Sequence, residues 1–407
     1  MARATVARIP CRLAPCVAPS QSTAVLSLPD SSPGRPLWCS PLWCCPSTAA
    51  WLAALAAAAV SAGTPSVYAA DTTTLYGRLN VGVESVSGGG QGSQARLSNY
   101  RSVIGFKGDE TLGDDLQLVW QIEGSVLVDT GGGTSLANRD TRIGLAGPWG
   151  TAFAGVWTLP YNAASASFDP FYPTTAGYMA LIGNGSASIV NNISDTRSFD
   201  RRQQNVVQYW TPVWQGWSGK LAYSPGEDTS PVTGARPSLG SGSVTYADGG
   251  FTVVLAHEFH RHYQTATSTD RGWKLGASGA WGRTRIAALW ERLDYGTVTG
   301  RLRRDAAYVS VVHKVDAFSL MGGLTVAGRG KGPSLARIGH LSSGDDTGAA
   351  QLTVGADYAM SRRTSVFALA SRIRNDHAAD YDFAINSPGA TPGSHPTLLS
   401  VGMRHSF

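Results

Sequence analysis

Leu399-Ser400-Val401-Gly402-Met403-Arg404-His405-Ser406-Phe407 alternates residue by residue, with Leu399, Val401, Met403, His405 and Phe407 on one side and Ser400, Gly402, Arg404 and Ser406 on the other. Neighbouring side chains of a β-strand point to opposite faces, so this segment offers one apolar face and one water face. The same period returns upstream, where Leu352, Val354, Ala356, Tyr358 and Met360 alternate with Gln351, Thr353, Gly355, Asp357 and Ala359. Leu118, Trp120 and Ile122 repeat it against Gln117, Gln121 and Glu123, with Val119 interrupting the polar row. A soluble sandwich alternates too, but its solvent face carries more charge. Here only 15% of 407 residues are charged. Alternating segments of about ten residues with an apolar outer face are the signature of a transmembrane β-barrel.

The connections support this reading independently, because short and long ones take turns. Short turns are expected at 110–114, 147–150, 212–216, 247–250, 282–284, 315–316 and 361–363. Longer loops are expected near 87–99, 129–137, 159–200, 225–240, 263–270, 295–302, 329–349 and 375–397. Together they separate the strands of an all-β, 16-stranded antiparallel transmembrane barrel over residues 70–407, an even number that brings both ends of the chain to one side. A barrel of about this size leaves an aqueous channel rather than a packed core. No segment after the leader has the 18 or so continuous apolar residues that a spanning helix needs.

Residues 1–69 read as a leader. Ala49 to Ala62 is an uncharged run, too short to span a bilayer, and Val67-Tyr68-Ala69 offers small residues at the cleavage positions. The Pro-rich stretch before Ala49 suits a start site placed too early as well as a long leader. All five cysteines, Cys11, Cys16, Cys39, Cys44 and Cys45, precede the barrel, which therefore uses no thiol chemistry or disulfide. Removing the leader, with its four basic residues and one acidic residue, leaves a net charge of +2 with both signs interspersed. A nucleic-acid partner would call for a concentrated basic patch, so none is expected.

Four stretches resemble one family. Thr74-Leu75-Tyr76-Gly77 is similar to the first strand of Gram-negative general diffusion porins, particularly of the β-proteobacterial type, and Ile104-Gly105-Phe106-Lys107-Gly108-Asp109-Glu110 with Leu112-Gly113 to their second strand and turn. Gly355 to Thr364 (GADYAMSRRT) and Val401 to Phe407 resemble a late motif and the terminal strand. The resemblance runs from about Thr72 to Phe407. It implies a homotrimeric outer-membrane channel for passive diffusion of small hydrophilic solutes and ions, embedded in lipid and lipopolysaccharide. It also implies a third external loop that folds into the lumen, with Phe168-Asp169-Pro170-Phe171 as its turn. The terminal residues Phe407, His405 and Met403 are then the signal read by the barrel-assembly machinery. One departure is Ala154-Gly155-Val156-Trp157, where the family commonly carries Arg after a Leu-Gly pair.

In a pore the chemistry lies where fixed charges face each other across a short, poorly screened gap. Alternation expects Arg78, Lys107, Arg142, Arg202, Lys220, Arg372 and Arg374 to point inward as a basic wall. Asp169, Asp195 and Asp200 on the long loop would oppose it. Each residue alone reads more readily as a rim or vestibule charge in water; the set is what suggests a constriction. With Val156 replacing one customary base, weak selectivity slightly favouring anions is expected.

No cofactor or metal is expected. His257-Glu258-Phe259-His260-Arg261-His262 has neither helical His spacing nor a completing ligand, and reads as a polar cluster at a loop mouth. Gly328-Arg329-Gly330-Lys331-Gly332 lacks the Ser or Thr of a phosphate loop, and Pro333 bars the helix that should follow. Ser278 lacks the glycine spacing of a nucleophile elbow. Trp149, Trp210, Trp214 and Trp217 lie near short turns, as an interfacial aromatic girdle would. Two alternatives stay open: a substrate-specific sugar or small-acid porin, kept alive by Phe168, Phe171, Tyr172 and Tyr178, and an outer-membrane barrel hydrolase.

Overall fold

The structure, a computed structural model, describes residues 72–90, 92–132 and 136–407. The expected leader and its cleavage site lie outside the described residues. Alternating segments pair with their neighbours in sequence as β1 (Thr72–Ser87), β2 (Gln94–Asn99, continued by Val103–Gly113), β3 (Leu116–Ser125), β4 (Thr141–Gly147), β5 (Gly150–Thr158), β6 (Asp200–Trp210), β7 (Trp217–Ser224) and β8 (Ser238–Asp248). The series continues with β9 (Phe251–Arg261), β10 (Thr269–Trp281), β11 (Thr284–Thr297), β12 (Gly300–Val315), β13 (Phe318–Ala327), β14 (Ala349–Ala359), β15 (Thr364–Asn375) and β16 (Thr397–Ser406). These sixteen strands form the barrel. The sheet also includes a short parallel strand, Ser186–Val190, beside the start of β6.

Each pair is antiparallel, and β16 returns to β1 with Ser406 opposite Arg78 and Thr397 opposite Ser87. The backbones of Gly77 and Phe407 exchange hydrogen bonds of 3.0 and 3.1 Å at this seam. Closure leaves no unpaired strand edge in lipid, where each unsatisfied backbone group would cost several kcal/mol. The alternation has the expected sense: Leu399 and Val401 are 64% and 66% exposed, while Ser400 between them is buried. Leu352, Val354, Tyr358 and Met360 likewise face out.

One connection differs from expectation. The segment near 295–302 is no long loop: Thr297 pairs with Gly300, leaving only Val298 and Thr299 to turn the chain. β11 and β12 therefore project outward as a long hairpin.

The interior also differs, because it is not uniformly aqueous. The 159–199 connection contains helix α1 (Pro160–Ala166) and runs along the inner faces of the later strands. Phe168, Phe171, Tyr178, Leu181 and Ile182 are buried with Leu289 of β11, Tyr308 of β12, and Phe367, Leu369 and Ile373 of β15. Glycines on the wall make room for the rings. A Cβ on Gly276 of β10 would sit 2.3 Å from the Phe168 ring, and one on Gly323 of β13 would sit 2.9 Å from Phe171. Gly276→Val is therefore expected to displace Phe168 and loosen the connection. The measurement is the temperature at which the folded band is lost on detergent gels, which should fall by several degrees; an unchanged transition would show that the ring is not seated there.

The packed connection fixes where water can pass. Inward residues on β8–β12 are largely buried beneath it, whereas Arg78, Lys107, Gln121, Arg142, Trp157, Trp210 and Lys220 on β1–β7 stay half-buried or exposed.

Candidate functional site

The residues facing that open side are mostly basic. Arg78 of β1 donates from Nη2 to the Arg101 carbonyl at 3.1 Å, and Arg101 donates from Nη2 to Ser186 Oγ at 2.7 Å. Lys107 of β2 lies exposed, its Nζ 5.5 Å from the Tyr76 ring centre. Arg139 pairs with Glu123 at 2.8 Å and Arg202 with Asp140 at 2.8 Å. The Arg142 guanidinium lies 4.6–4.9 Å from the ring centres of Phe153, Trp157 and Trp210, and Lys220 Nζ lies 4.6 Å from Trp210. Among the described residues, no carboxylate comes within ion-pair distance of Arg78, Arg101, Lys107, Arg142 or Lys220. This sector of the wall thus carries an excess of positive charge.

The sequence-based wall is partly redistributed. Arg78, Lys107, Arg142 and Lys220 share this sector. Arg202 also points inward, but it is buried and bound by Asp140, Thr158 Oγ1 and the Ser188 carbonyl. Arg372 and Arg374 do not join it: they are exposed on the outer face of β15, with Arg372 opposite outward Leu352. The inner row of β15 is instead Ser365, Phe367, Leu369, Ser371, Ile373 and Asn375. Its apolar members pack against the long connection, so the usual equation of apolar with lipid-facing inverts on this strand.

The expected acidic partners are also employed elsewhere. Asp169 is buried and accepts hydrogen bonds from the backbone of Phe171 and Tyr178 and from Tyr308 OH, at 3.0–3.1 Å. Burial pushes its carboxyl up to about 6. Its role is to staple a turn. Asp195 pairs with neighbouring Arg197 at 3.1 Å. Asp200 is buried against Lys274 Nζ at 3.0 Å. Asp169 and Asp200 do not stand across open water from the basic wall, since a buried carboxylate is retained only where donors or a cation compensate its lost hydration, and the half-buried Asp195 is engaged by Arg197.

Sequence reasoning missed a buried charge cluster in the interior. Glu291 of β11, fully buried, accepts from Gly183 N at 2.9 Å, Tyr161 OH at 3.0 Å and Arg304 Nη2 at 2.9 Å, with Lys274 Nζ at 3.8 Å. The cluster ties three points of the 159–200 segment to β10, β11 and β12. Strand β10 carried a usable signal, because Asp270, Gly272, Lys274, Gly276 and Ser278 form a polar inner row. Strand β11 did not, since its inner row mixes Leu289, Glu291, Leu293 and Tyr295.

The histidine motif does not gather at a loop mouth. His257 faces outward and stacks on Trp273, while His260 is buried within hydrogen-bond distance of Glu258 Oε1, 2.8 Å away, and stacked between Phe199 and Tyr263. Of the tryptophans expected in the girdle, Trp149, Trp214 and Trp217 are exposed near short turns, but Trp210 turns into the lumen.

Comparison with known proteins agrees with this architecture. A family profile described as Gram-negative porin matches residues 48–378. The major outer membrane protein P.IA of Neisseria meningitidis serogroup B is 25% identical, over 86% of this chain and 98% of that protein. The solved anion-selective porin from Comamonas acidovorans superposes with a TM-score of 0.69 at 19% identity, over 83% of this chain and 100% of that one. A trimer form of OmpT, an outer membrane protein of Vibrio cholerae, gives 0.61 at 16% identity, over 83% of this chain and 100% of that one.

Proposed function

From the premise that the chain belongs to the Gram-negative porin family, we propose a pore whose basic sector gives it a slight preference for anions. The protein is an outer-membrane channel for passive diffusion of small solutes. The observation that carries the preference is the set of five cations, Arg78, Arg101, Lys107, Arg142 and Lys220, without carboxylate partners on the open side of the lumen. Two unit charges about 8 Å apart in water interact by only about 0.5 kcal/mol, so selectivity comes from their sum. Single-channel conductance of the purified protein tests conduction, and the zero-current potential across a salt gradient tests the sign. A strong cation preference in the wild type would overturn the reading.

The assembly is a homotrimer in this proposal. Leu79, Val83, Val354, Leu399 and Val401 form an outward apolar surface across the β1–β16 seam. Barrel closure makes the two ends of the sequence one patch, and in this reading that patch meets a second copy. The same reading has outward Arg372 and Arg374, near the long-loop end of β15, meet the phosphates of lipopolysaccharide, since cations close to an anionic lipid surface are stabilised by it.

Phe407, His405 and Met403 form the strand end read by the assembly machinery. The Phe407 ring lies directly over Gly77, where an added Cβ would sit 2.4 Å from the ring. Deleting Phe407 is expected to reduce outer-membrane trimer at unchanged export, measured by heat-modifiable mobility of membrane fractions. Equal trimer yield would contradict this role.

A further inference from the structure

The inner wall formed by β4 to β7 holds an arrangement that conduction alone does not require. Phe153, Trp157 and Trp210 meet edge to face, with ring centres 5.0–5.7 Å apart, around the Arg142 guanidinium. Trp157 and Trp210 stay half-exposed to the lumen. Gln208 fixes the Trp210 indole, accepting from its Nε1 at 3.1 Å while donating from Nε2 to the Thr158 carbonyl at 3.1 Å. Lys220 Nζ stands over the same indole. Arg142 Nε and Nη1 are buried without a hydrogen-bond partner, leaving Nη2 as the nitrogen toward the lumen.

We propose that this cluster is a binding subsite for aromatic monocarboxylates of about the size of benzoate; the proposal rests on the channel reading and adds a preferred class of solute. The chemistry selects the ligand by elimination. A half-buried guanidinium with no counter-charge favours an anion, which offsets its lost hydration. Arg142 Nη2 and Lys220 Nζ are donors only, so the bound group must accept from both, as a carboxylate can. A sugar needs acceptors as well, and the Gln208 amide is already engaged at both ends. Arg142 and Lys220 already cover part of these rings, but Trp157 and Trp210 keep half-exposed surface toward the lumen; an inorganic anion would leave that surface in water, whereas an aryl ring attached to the carboxylate would cover it in offset or edge contact. Phe153, Trp210 and Lys220 all lie near short turns, which places the subsite in the periplasmic half of the pore.

The test is single-channel recording in potassium chloride with sodium benzoate or sodium acetate added to either side. In wild type, benzoate is expected to reduce current at a concentration about tenfold below acetate, the scale of one stacked ring added to the charge, and more strongly from the short-turn side. Arg142→Gln and Trp210→Leu should each remove most of the difference between benzoate and acetate. Equal effects of the two anions on wild type would overturn the proposal, as would an undiminished benzoate effect in a folded Arg142→Gln channel. If a variant fails to fold, the wild-type comparison decides by itself. Absence of any conductance in plain chloride would instead contradict the channel reading, so the two failures are distinguishable.

Discussion

Glu291→Ala is expected to raise single-channel conductance and make the open current noisy, because Glu291 is the shared anchor of the segment inside the barrel. Its carboxylate receives the Gly183 amide, the Tyr161 hydroxyl and the Arg304 guanidinium at 2.9–3.0 Å. Truncation frees the Gly183 and Tyr161 tethers together and leaves Lys274 and Arg304 buried with one fewer counter-charge. Removing one partner of a buried ionic group costs about 3–5 kcal/mol, since the other charge stays without hydration or compensation. Lys274 keeps Asp200 at 3.0 Å and Arg304 keeps the Tyr381 hydroxyl at 3.0 Å, so the barrel strands should still close. Glu291→Gln keeps the size but loses the charge, and should fall between wild type and Ala. Conductance and noise equal to wild type in a folded Glu291→Ala channel would show that the segment is held by its apolar contacts alone.

Reversing three wall charges together, Lys107→Glu, Arg142→Glu and Lys220→Glu, is expected to change the sign of the zero-current potential from anion to cation preference. None of the three has a carboxylate partner to neutralise it, and each keeps exposure to the lumen, so its net charge is felt by passing ions. The effect should shrink as salt rises from about 0.1 to 1 M, where the screening length falls from about 10 to 3 Å. Arg202→Glu is a poorer reporter, because Arg202 is buried on Asp140, and reversal there would place two carboxylates together and destabilise the wall first. A triple variant that stays anion-preferring at low salt would move the selective region to another part of the lumen.

The barrel itself was legible because a lipid-facing strand obeys one simple rule. Leu399, Val401 and Met403 must meet hydrocarbon and Ser400, Gly402 and Arg404 must not, so the period-two pattern of β16 reveals both strand and orientation. The rule failed on β15 for a definable reason. Phe367, Leu369 and Ile373 are apolar because they meet Phe168, Phe171 and their neighbours inside the barrel, and the pattern cannot distinguish protein from lipid as the apolar surroundings. The apolar-outward rule therefore puts Arg372 and Arg374 on the wrong face. Similarly, the upper part of the β11–β12 hairpin reads as loop because Arg301, Arg303 and Asp305, on its outer face, break the apolar-outward pattern although Thr297 still pairs with Gly300.

The candidate site divides along the same line. Arg78, Lys107, Arg142 and Lys220 could be placed inward by counting residues from strands whose phase was clear. Asp169 and Asp195 could not be matched to partners, because a loop has no period from which to read a direction, and Asp200, at the very start of β6, meets Lys274 of a strand that does not neighbour it in the barrel. Sequence by itself determined the strand number, the closed antiparallel order and the sense of most faces, all consequences of backbone hydrogen bonding in lipid and of side-chain alternation. Only the tertiary structure decided which wall stays wet, that Lys274, Glu291 and Arg304 hold the inner segment, and that Trp157 and Trp210 gather around Arg142. Those outcomes depend on contacts between residues far apart in the chain, such as Tyr161 with Glu291, 130 positions away, and Thr353 with Ala176, 177 positions away, which no local pattern encodes.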